Sequence, residues 1–427
     1  MDQRSVIPNQ LVDHLFRHES GKMIAVLTRI FGMHNLEMAE DVVQEAFLKA
    51  MQSWPFHGVP DNPSGWLMQT ARNRAIDIIR RQQNFGQYSR ELAGQLQQET
   101  ESTIGQFFLD SEIADSQLQL VFACCHPSLK EEDQVALTLK TVSGFGADEI
   151  GRALVTNEAA IQKRLYRARQ YIKDNGIQLE IPQGSQLPQR LGTVHTVLYL
   201  LFNEGYNSIK SDELIRRDLC AEAMRLCLLL SEHQAGNQPS TFALLSLMCF
   251  HASRFDSRVD DDNGIVLLQH QDRGKWDRRL IGKGYQYLHL SSRGDYLSVY
   301  HVESAIAAEH CLCACFEETN WQRLLDLYDL LLVHKQTPTV LLNRAIVLAH
   351  MDAPLKALDD IWKIEGIDGL LATQHIYSAV LGDLYGRLGD KINAAKYLHH
   401  SFRLTSSHAE QKLILDKIKT LQQTCAN

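Results

Sequence analysis

The chain has 427 residues and a formal net charge of −8. That length corresponds to about three domains, and the ordinary globular composition is enough for a sizeable core. The negative balance excludes a protein that coats nucleic acid over its whole surface, but it leaves room for local basic helices on an acidic body. No apolar stretch reaches the roughly 18–20 uncharged residues of a membrane helix, and the start, Met1 to Asn9, lacks the apolar run of a signal peptide. The nine cysteines, an odd number, sit mostly in apolar runs such as Phe122–Cys125 and Leu247–Phe250. This usage points to reduced, buried thiols in a cytoplasmic protein without membrane partners.

Strand signals are scarce and helical periodicity dominates, so the expected fold class is all-α. The first helical block runs from about Leu11 to Gln82. Within it, Ala39–Ala50 is amphipathic, with Val42, Val43, Ala46, Phe47 and Ala50 on the apolar stripe. Asp41, Gln44, Glu45 and Lys49 lie on the polar one. A break is expected from Trp54-Pro55 through Gly65, with Ser64 as a cap for the next helix. That helix carries Arg72, Arg74, Arg80 and Arg81 against Asp77 alone.

Residues 83–112 are polar and include Gln95, Glu99, Glu101 and Asp110, which reads as an acidic flexible linker. From Glu132 to Lys173 two helices joined by a tight turn are expected. Ile150, Ala153 and Leu154 share one face of the first, and Ile161, Leu165 and Ala168 one face of the second. Thr156 or Asn157 would cap the second helix. Lys163, Arg164, Arg167 and Arg169 make it basic, the pattern of a helix-turn-helix whose recognition helix enters a DNA major groove. A basic face is also the ordinary state of a solvated helix.

A second break, Gly176 to Pro188, precedes a helical C-terminal half. There Ala345, Leu348, Asp352, Ala357 and Ile361 recur in register as Gly382, Tyr385, Gly389, Ala394 and Leu398. The spacing is slightly longer than the roughly 34-residue tetratricopeptide standard. An ordinary helical bundle is the alternative. Cys311, Cys313 and Cys315 alternate in a way that suits neither a zinc site nor a redox pair. No Walker, GxGxxG, HExxH or GxSxG motif occurs, so no catalytic residue, metal or cofactor is expected. Asp272, Arg273, Asp277 and Arg278 read as a salt-bridge network or an interdomain contact rather than as an enzyme's carboxylates.

Taken together, Ala39–Phe47, Gly65-Trp66-Leu67 and Ala71–Asp77 resemble region 2 of an extracytoplasmic-function (ECF) sigma factor. Glu149-Ile150 with Arg164–Arg169 resembles sigma region 4. Leu198–Tyr206, Arg217–Ala223 and Gln271–Asp277 resemble the ECF subgroup with a fused C-terminal extension that ends in tetratricopeptide-like helices. The resemblance implies a division into region 2 (residues 10–82), linker (83–112), region 4 (113–175), linker (176–188), a helical extension (189–300) and tetratricopeptide-like helices (301–425).

It further implies a non-enzymatic factor that binds RNA polymerase core and directs promoter-specific initiation, with the C-terminal half regulating in cis. Asp41, Gln44, Glu45 and Lys49 would dock on the clamp helices of the largest subunit, and the flap region would be a second contact. Trp66, Arg72, Asn73, Arg74, Asp77, Arg80 and Arg81 would meet the minus-ten element, with Trp54, Phe56, His57 and Asn62 beside them. Asn157, Glu158, Ala160, Gln162, Lys163, Arg164, Arg167 and Arg169 would meet the minus-thirty-five element, Arg167 and Arg169 through phosphates. The family usually has a Thr-Val or similar pair where this chain has Ala160-Ile161. The C-terminal helices would take a protein or peptide partner. The rival is a helix-turn-helix repressor or activator with a C-terminal sensing domain, which needs no polymerase-docking face.

Overall fold

The structure is a computed structural model and describes residues 3–84, 103–154, 156–207, 215–260 and 264–423. Among these residues the secondary structure is helical apart from one isolated antiparallel bridge, Val259 to Ile265. The chain divides into two compact units, Met1–Leu201 and Phe202–Asn427.

In the first unit, α1 (Gln3–Phe31) packs against α2 (Leu36–His57) and α4 (Asp110–Cys124), with α3 (Pro63–Asn84) against α2. Helix α2 buries the expected stripe, Val42, Val43, Ala46, Phe47 and Ala50. It continues through Pro55 to His57 rather than breaking at Trp54-Pro55, and ends at Gly58, whose φ is +84°. The cap of α3 is also not Ser64: Asn62 Oδ1 accepts from Gly65 N at 2.9 Å.

The linker expected over 83–112 is described only at its ends, where it is helical. Residues 83–84 finish α3, 103–107 form a helical turn, and α4 begins at Asp110. Gln95, Glu99 and Glu101 lie outside the described residues. Three helices, not two, then span 131–175: α5 (Glu131–Thr141), α6 (Ala147–Ala153) and α7 (Glu158–Asn175). Helix α5 buries Val135, Leu137, Thr138 and Thr141 and makes the pair into a three-helix block. Helix α8 (Leu187–Tyr206) begins in this unit, where Arg190 donates to Phe122 O at 2.6 Å.

In the second unit, α10 (Pro239–Ala252) is buried on every side. Its apolar run Phe242–Phe250 has no polar stripe, as befits a helix enclosed by neighbours. Around it pack α9 (Arg217–Glu232), α11 (Arg278–Ser291) and α12 (Val299–Leu312). Pairs of short helices come next: α13 (Trp321–His334), α14 (Pro338–His350), α15 (Pro354–Trp362), α16 (Ile367–Thr373), α17 (His375–Arg387), α18 (Lys391–Leu404) and α19 (His408–Gln423). The in-register small residues explain how these pairs close. Ala345, Ala357 and Ala394 are fully buried, and a Cβ on Gly382 would lie 2.7 Å from Leu398 Cγ. The matching turns share a left-handed residue, Asp352 at φ +58° and Gly389 at φ +78°.

Candidate nucleic-acid interface

Three helices carry the candidate polymerase- and promoter-binding residues. On α2 the buried stripe turns Asp41, Gln44, Glu45 and Lys49 to the outside. Leu48 belongs with them: it is 55 % exposed. Residue type assigns a leucine to the core, but its position four residues after Gln44 places it on the polar face. Met51 and Phe56 are exposed as well, whereas Trp54 is buried and meets Trp66 edge-on at 5.5 Å.

The arginines of α3 are not an open row of phosphate contacts. Arg74 forks onto Glu45, Nε to Oε2 at 2.6 Å and Nη2 to Oε1 at 3.1 Å, tying α3 to the polar face of α2. The guanidinium of Arg72 lies against Gly105, and its buried Nε has no hydrogen-bond partner. Arg80 lies 3.9 Å from Asp77. Arg81 and Asn73 are exposed, and Asn73 accepts from Gln69 at 2.8 Å.

The turn before α7 is set by Asn157 rather than Thr156: its Oδ1 accepts from Ala160 N at 2.8 Å. Ile150, Ile161, Leu165 and Ala168 are buried as the periodicity requires. This leaves Asn157, Glu158, Gln162, Lys163 and Arg167 outward, with Ala160 half-buried. Tyr166, 65 % exposed, stands on the same face; its spacing of three from Lys163 and four from Gln162 was the available signal.

The arginines of α7 face several ways. Arg164 pairs with Glu132 at 2.9 Å and Arg167 with Asp133 at 2.8 Å, both within the three-helix block. Arg169 points elsewhere: its Nη2 meets Oε2 of Glu40 on α2 at 2.6 Å. In this arrangement it holds α2 and is not turned to a phosphate. Arg17 of α1 likewise pairs with Glu149 of α6, and Arg29 of α1 with Glu112 of α4 at 2.8 Å. A Cβ on Gly21 would overlap the carbonyl oxygen of Val142, so α1 and the end of α5 touch backbone to backbone. Burial pushes the Glu40 carboxyl above its ordinary range, and Arg169 opposes this without cancelling it.

The remaining candidates are structural. Cys124 and Cys125 are buried with their thiols pushed up by desolvation, Cys125 to about 12, so neither is a thiolate near neutral pH. Cys311 is buried, while Cys313 and Cys315 lie past the end of α12 rather than on it. In the Gln271–Asp277 segment the carboxylates are caps, and among the described residues no salt-bridge network joins them. Asp272 accepts from Gly274 N, and Asp277 accepts from Arg279 N and Leu280 N. Arg273 is buried and donates to His310 O at 2.6 Å and Cys313 O at 2.8 Å.

A helical block with an exposed polar face, followed by a three-helix block with a capped, basic outward helix, defines the class. Residues 15–85 match Sigma-70 region 2 and residues 119–172 match Sigma-70, region 4. Residues 190–292 match a family of unknown function, DUF6596. The chain is similar to two proteins of Bacillus subtilis (strain 168). It is 28 % identical to the ECF RNA polymerase sigma factor SigM over 139 residues, 32 % of this chain and 78 % of SigM. It is 23 % identical to the ECF RNA polymerase sigma factor SigX over 136 residues, 31 % of this chain and 68 % of SigX. Over 392 residues it is 32 % identical to the uncharacterized protein R00370 of Rhizobium meliloti (strain 1021), covering 92 % of this chain and 91 % of that protein. No solved structure matches. The chain therefore belongs to the ECF-type sigma factors, in a form with an additional helical C-terminal region. Among the described residues no helix is long and apolar enough to cross a membrane.

Proposed function

We propose that the chain binds RNA polymerase core through the outward face of α2 and grips a promoter at two places. Asp41, Gln44, Glu45, Leu48 and Lys49 dock on the clamp helices of the largest subunit, an acidic and amide face around one apolar side chain meeting a basic helical partner. Asn73 and Arg81 of α3 meet the minus-ten element, with Trp66 and Phe56 at its edge for an unstacked base. Gln162, Lys163 and Tyr166 of α7 read the minus-thirty-five element, and Arg167 meets a phosphate. The observation that carries this reading is the shared outward face of α2, exposed along its length and backed by a complete core. A repressor or activator needs no such face.

The two helices proposed to meet the promoter belong to one compact unit, too small on this reading to reach both elements at once. Elements named for positions roughly 25 base pairs apart lie about 85 Å apart at about 3.4 Å per base pair. A compact unit of some 200 residues has a radius of gyration of about 16 Å. The packed form cannot hold both elements, so the Arg169–Glu40 and Arg17–Glu149 contacts open when the promoter is engaged. The C-terminal half regulates that opening in cis.

Run-off transcription with purified core polymerase over a panel of promoters tests the reading. A promoter-dependent transcript is expected, reduced at least tenfold by the double change Gln44→Ala and Leu48→Ala. A chain that neither binds core nor yields a transcript would leave the repressor reading in its place.

A further inference from the structure

The second unit holds a partly open cavity of about 350 Å³ between α13, α14, α17 and α19, covered on one side by Leu267, Leu268 and Gln269. Its volume lies within the range of small-molecule sites, about 300–1,000 Å³. One end is aromatic. The Trp321 ring stacks on His350 with centroids 4.4 Å apart and meets Phe316 edge-on at 5.1 Å. Both histidines there are neutral near pH 7. Burial and then the nearby arginines take His310 down to about 3, and burial and Arg387 lower His350. The middle is aliphatic, lined by Ile346, Val380, Leu384 and Leu413.

The other end is charged and unbalanced. Lys417 Nζ donates to Asp383 Oδ1 at 3.1 Å, and Arg387 Nε donates to Asp383 Oδ2 at 3.2 Å. Burial opposes ionisation of Asp383, but Lys417 and Arg387 outweigh it and hold the carboxyl below its ordinary range. Two cations thus share one carboxylate, and the described charged groups lining the cavity sum to one positive charge. The same three residues also line a second, more open cavity of about 540 Å³, so the charged cluster stands where the apolar cavity meets a wider one. The cover is held in place by its own segment: Arg273 anchors to the carbonyls of His310 and Cys313 at the end of α12.

We propose that this cavity is the binding site of a small amphipathic organic acid, with its aromatic or branched body between Trp321 and Leu413 and its carboxylate on Lys417 and Arg387. An apolar body gains from leaving water, and a carboxylate is the head group that the surplus cation leaves wanting. A neutral molecule of the same shape forgoes the second gain, and a cation is repelled. Nothing in this site depends on the polymerase or promoter contacts, and it can be tested without them.

The test is isothermal titration of the full chain with 4-phenylbutyrate, indole-3-acetate and 4-methylvalerate, each beside its neutral amide. At least one acid is expected to bind one-to-one and at least tenfold tighter than its amide. Lys417→Gln should bring acid and amide within about threefold of one another while leaving the far-ultraviolet circular dichroism unchanged. Ala379→Phe, on the cavity wall, should abolish both. If that variant does not fold, the acid-to-amide ratio and Lys417→Gln decide alone. Equal binding of acids and amides, no binding by any acid at millimolar concentration, or an unchanged ratio in Lys417→Gln would each overturn the proposal. Binding of a peptide through its C-terminal carboxylate, with no binding by the free acids, would overturn it in favour of a peptide site.

Discussion

Arg169, near the end of α7, donates from Nη2 to Oε2 of Glu40 on α2 at 2.6 Å, with side chains only 18 % and 10 % exposed. The pair joins region 4 to region 2. Its net worth is small, because the Glu40 carboxyl stays above its ordinary range even with the guanidinium beside it: burial costs it more than Arg169 returns. Its value lies in being specific, since either partner without the other leaves a buried charge.

This asymmetry sets the first prediction. Arg169→Ala should destabilise the first unit by about 3–5 kcal/mol, the usual cost of a buried charge left unpaired. Glu40→Gln should cost less, because its amide oxygen still accepts from the guanidinium, although the Arg169 charge is left without a counter-charge. Urea denaturation of the full chain, followed by circular dichroism, compares them. Equal losses would show that the pair is an ordinary contact and not a latch.

Gly21→Ala separates packing from charge. Its methyl would meet the Val142 carbonyl oxygen, backbone against backbone, with no flexible end to give way. The expected outcome is a larger radius of gyration in small-angle X-ray scattering, with α1 still helical, since alanine is the better helix former by about 1 kcal/mol. More run-off transcript per mole of factor should accompany it. An unchanged radius would mean that the two regions slide past the clash and that Gly21 does not set their contact.

On α7, Lys163→Ala and Gln162→Ala should each reduce binding to a matched promoter by about 1–3 kcal/mol and relax preference at one base position. Arg81→Ala on α3 should weaken matched and mismatched promoters alike and lower the salt dependence. Electrophoretic mobility shifts of the polymerase holoenzyme at two salt concentrations distinguish the patterns.

How these residues were legible differs from one to the next. Ile161, Leu165 and Ala168, and Val42, Phe47 and Ala50, are core because helical periodicity places them there, and one sequence suffices to see it. A cap at Thr156 or Asn157 is legible for the same local reason, and the structure selects Asn157. The partners of Arg72, Arg74 and Arg169 are not. Gly105, Glu45 and Glu40 lie 29 residues or more away in sequence, and only tertiary packing brings them close. A row of arginines therefore reads as a phosphate grip when half of it is structural. Leu48 and Tyr166 show the converse, apolar or aromatic by type and outward by position. The cavity beside Trp321 draws on residues from 267 to 417 and has no sequence signature.

Asp352→Gly is expected to stabilise the second unit. Asp352 holds φ +58° with its side chain exposed, and Gly389 fills the corresponding place in the next helix pair. A left-handed residue with a Cβ costs about 1–2 kcal/mol, less for aspartate, and glycine's greater unfolded-state freedom takes part of the gain back. A net gain of about 0.5 kcal/mol, or roughly 1–2 °C in the melting temperature of a unit this size, is the expected reading by calorimetry.

The pH dependence of the second unit is set by buried histidines and one buried carboxyl. Burial takes His310 down to about 3 and His251 well below 6.5, and lowers His301 and His350 as well, so the contribution of these histidines to stability is complete above pH 6.5 and is lost as pH falls. Glu204 acts in the opposite sense. Burial raises its carboxyl to about 7, with Arg216 opposing, so its contribution is complete below pH 4.5 and is lost as pH rises through 7. Between pH 6.5 and 4.5 the unfolded chain takes up protons at these histidines that the folded chain does not, while the folded chain takes up one at Glu204. Stability should therefore fall with decreasing pH in this window. Glu204→Gln removes the opposing group, so the acid loss should steepen by up to about 1.4 kcal/mol per pH unit, while at pH 8 the variant should be more stable than the parent. Chemical denaturation at pH 8, 6.5, 5.5 and 4.5 measures both. A parallel pair of curves would show that Glu204 titrates alike in the folded and unfolded chains.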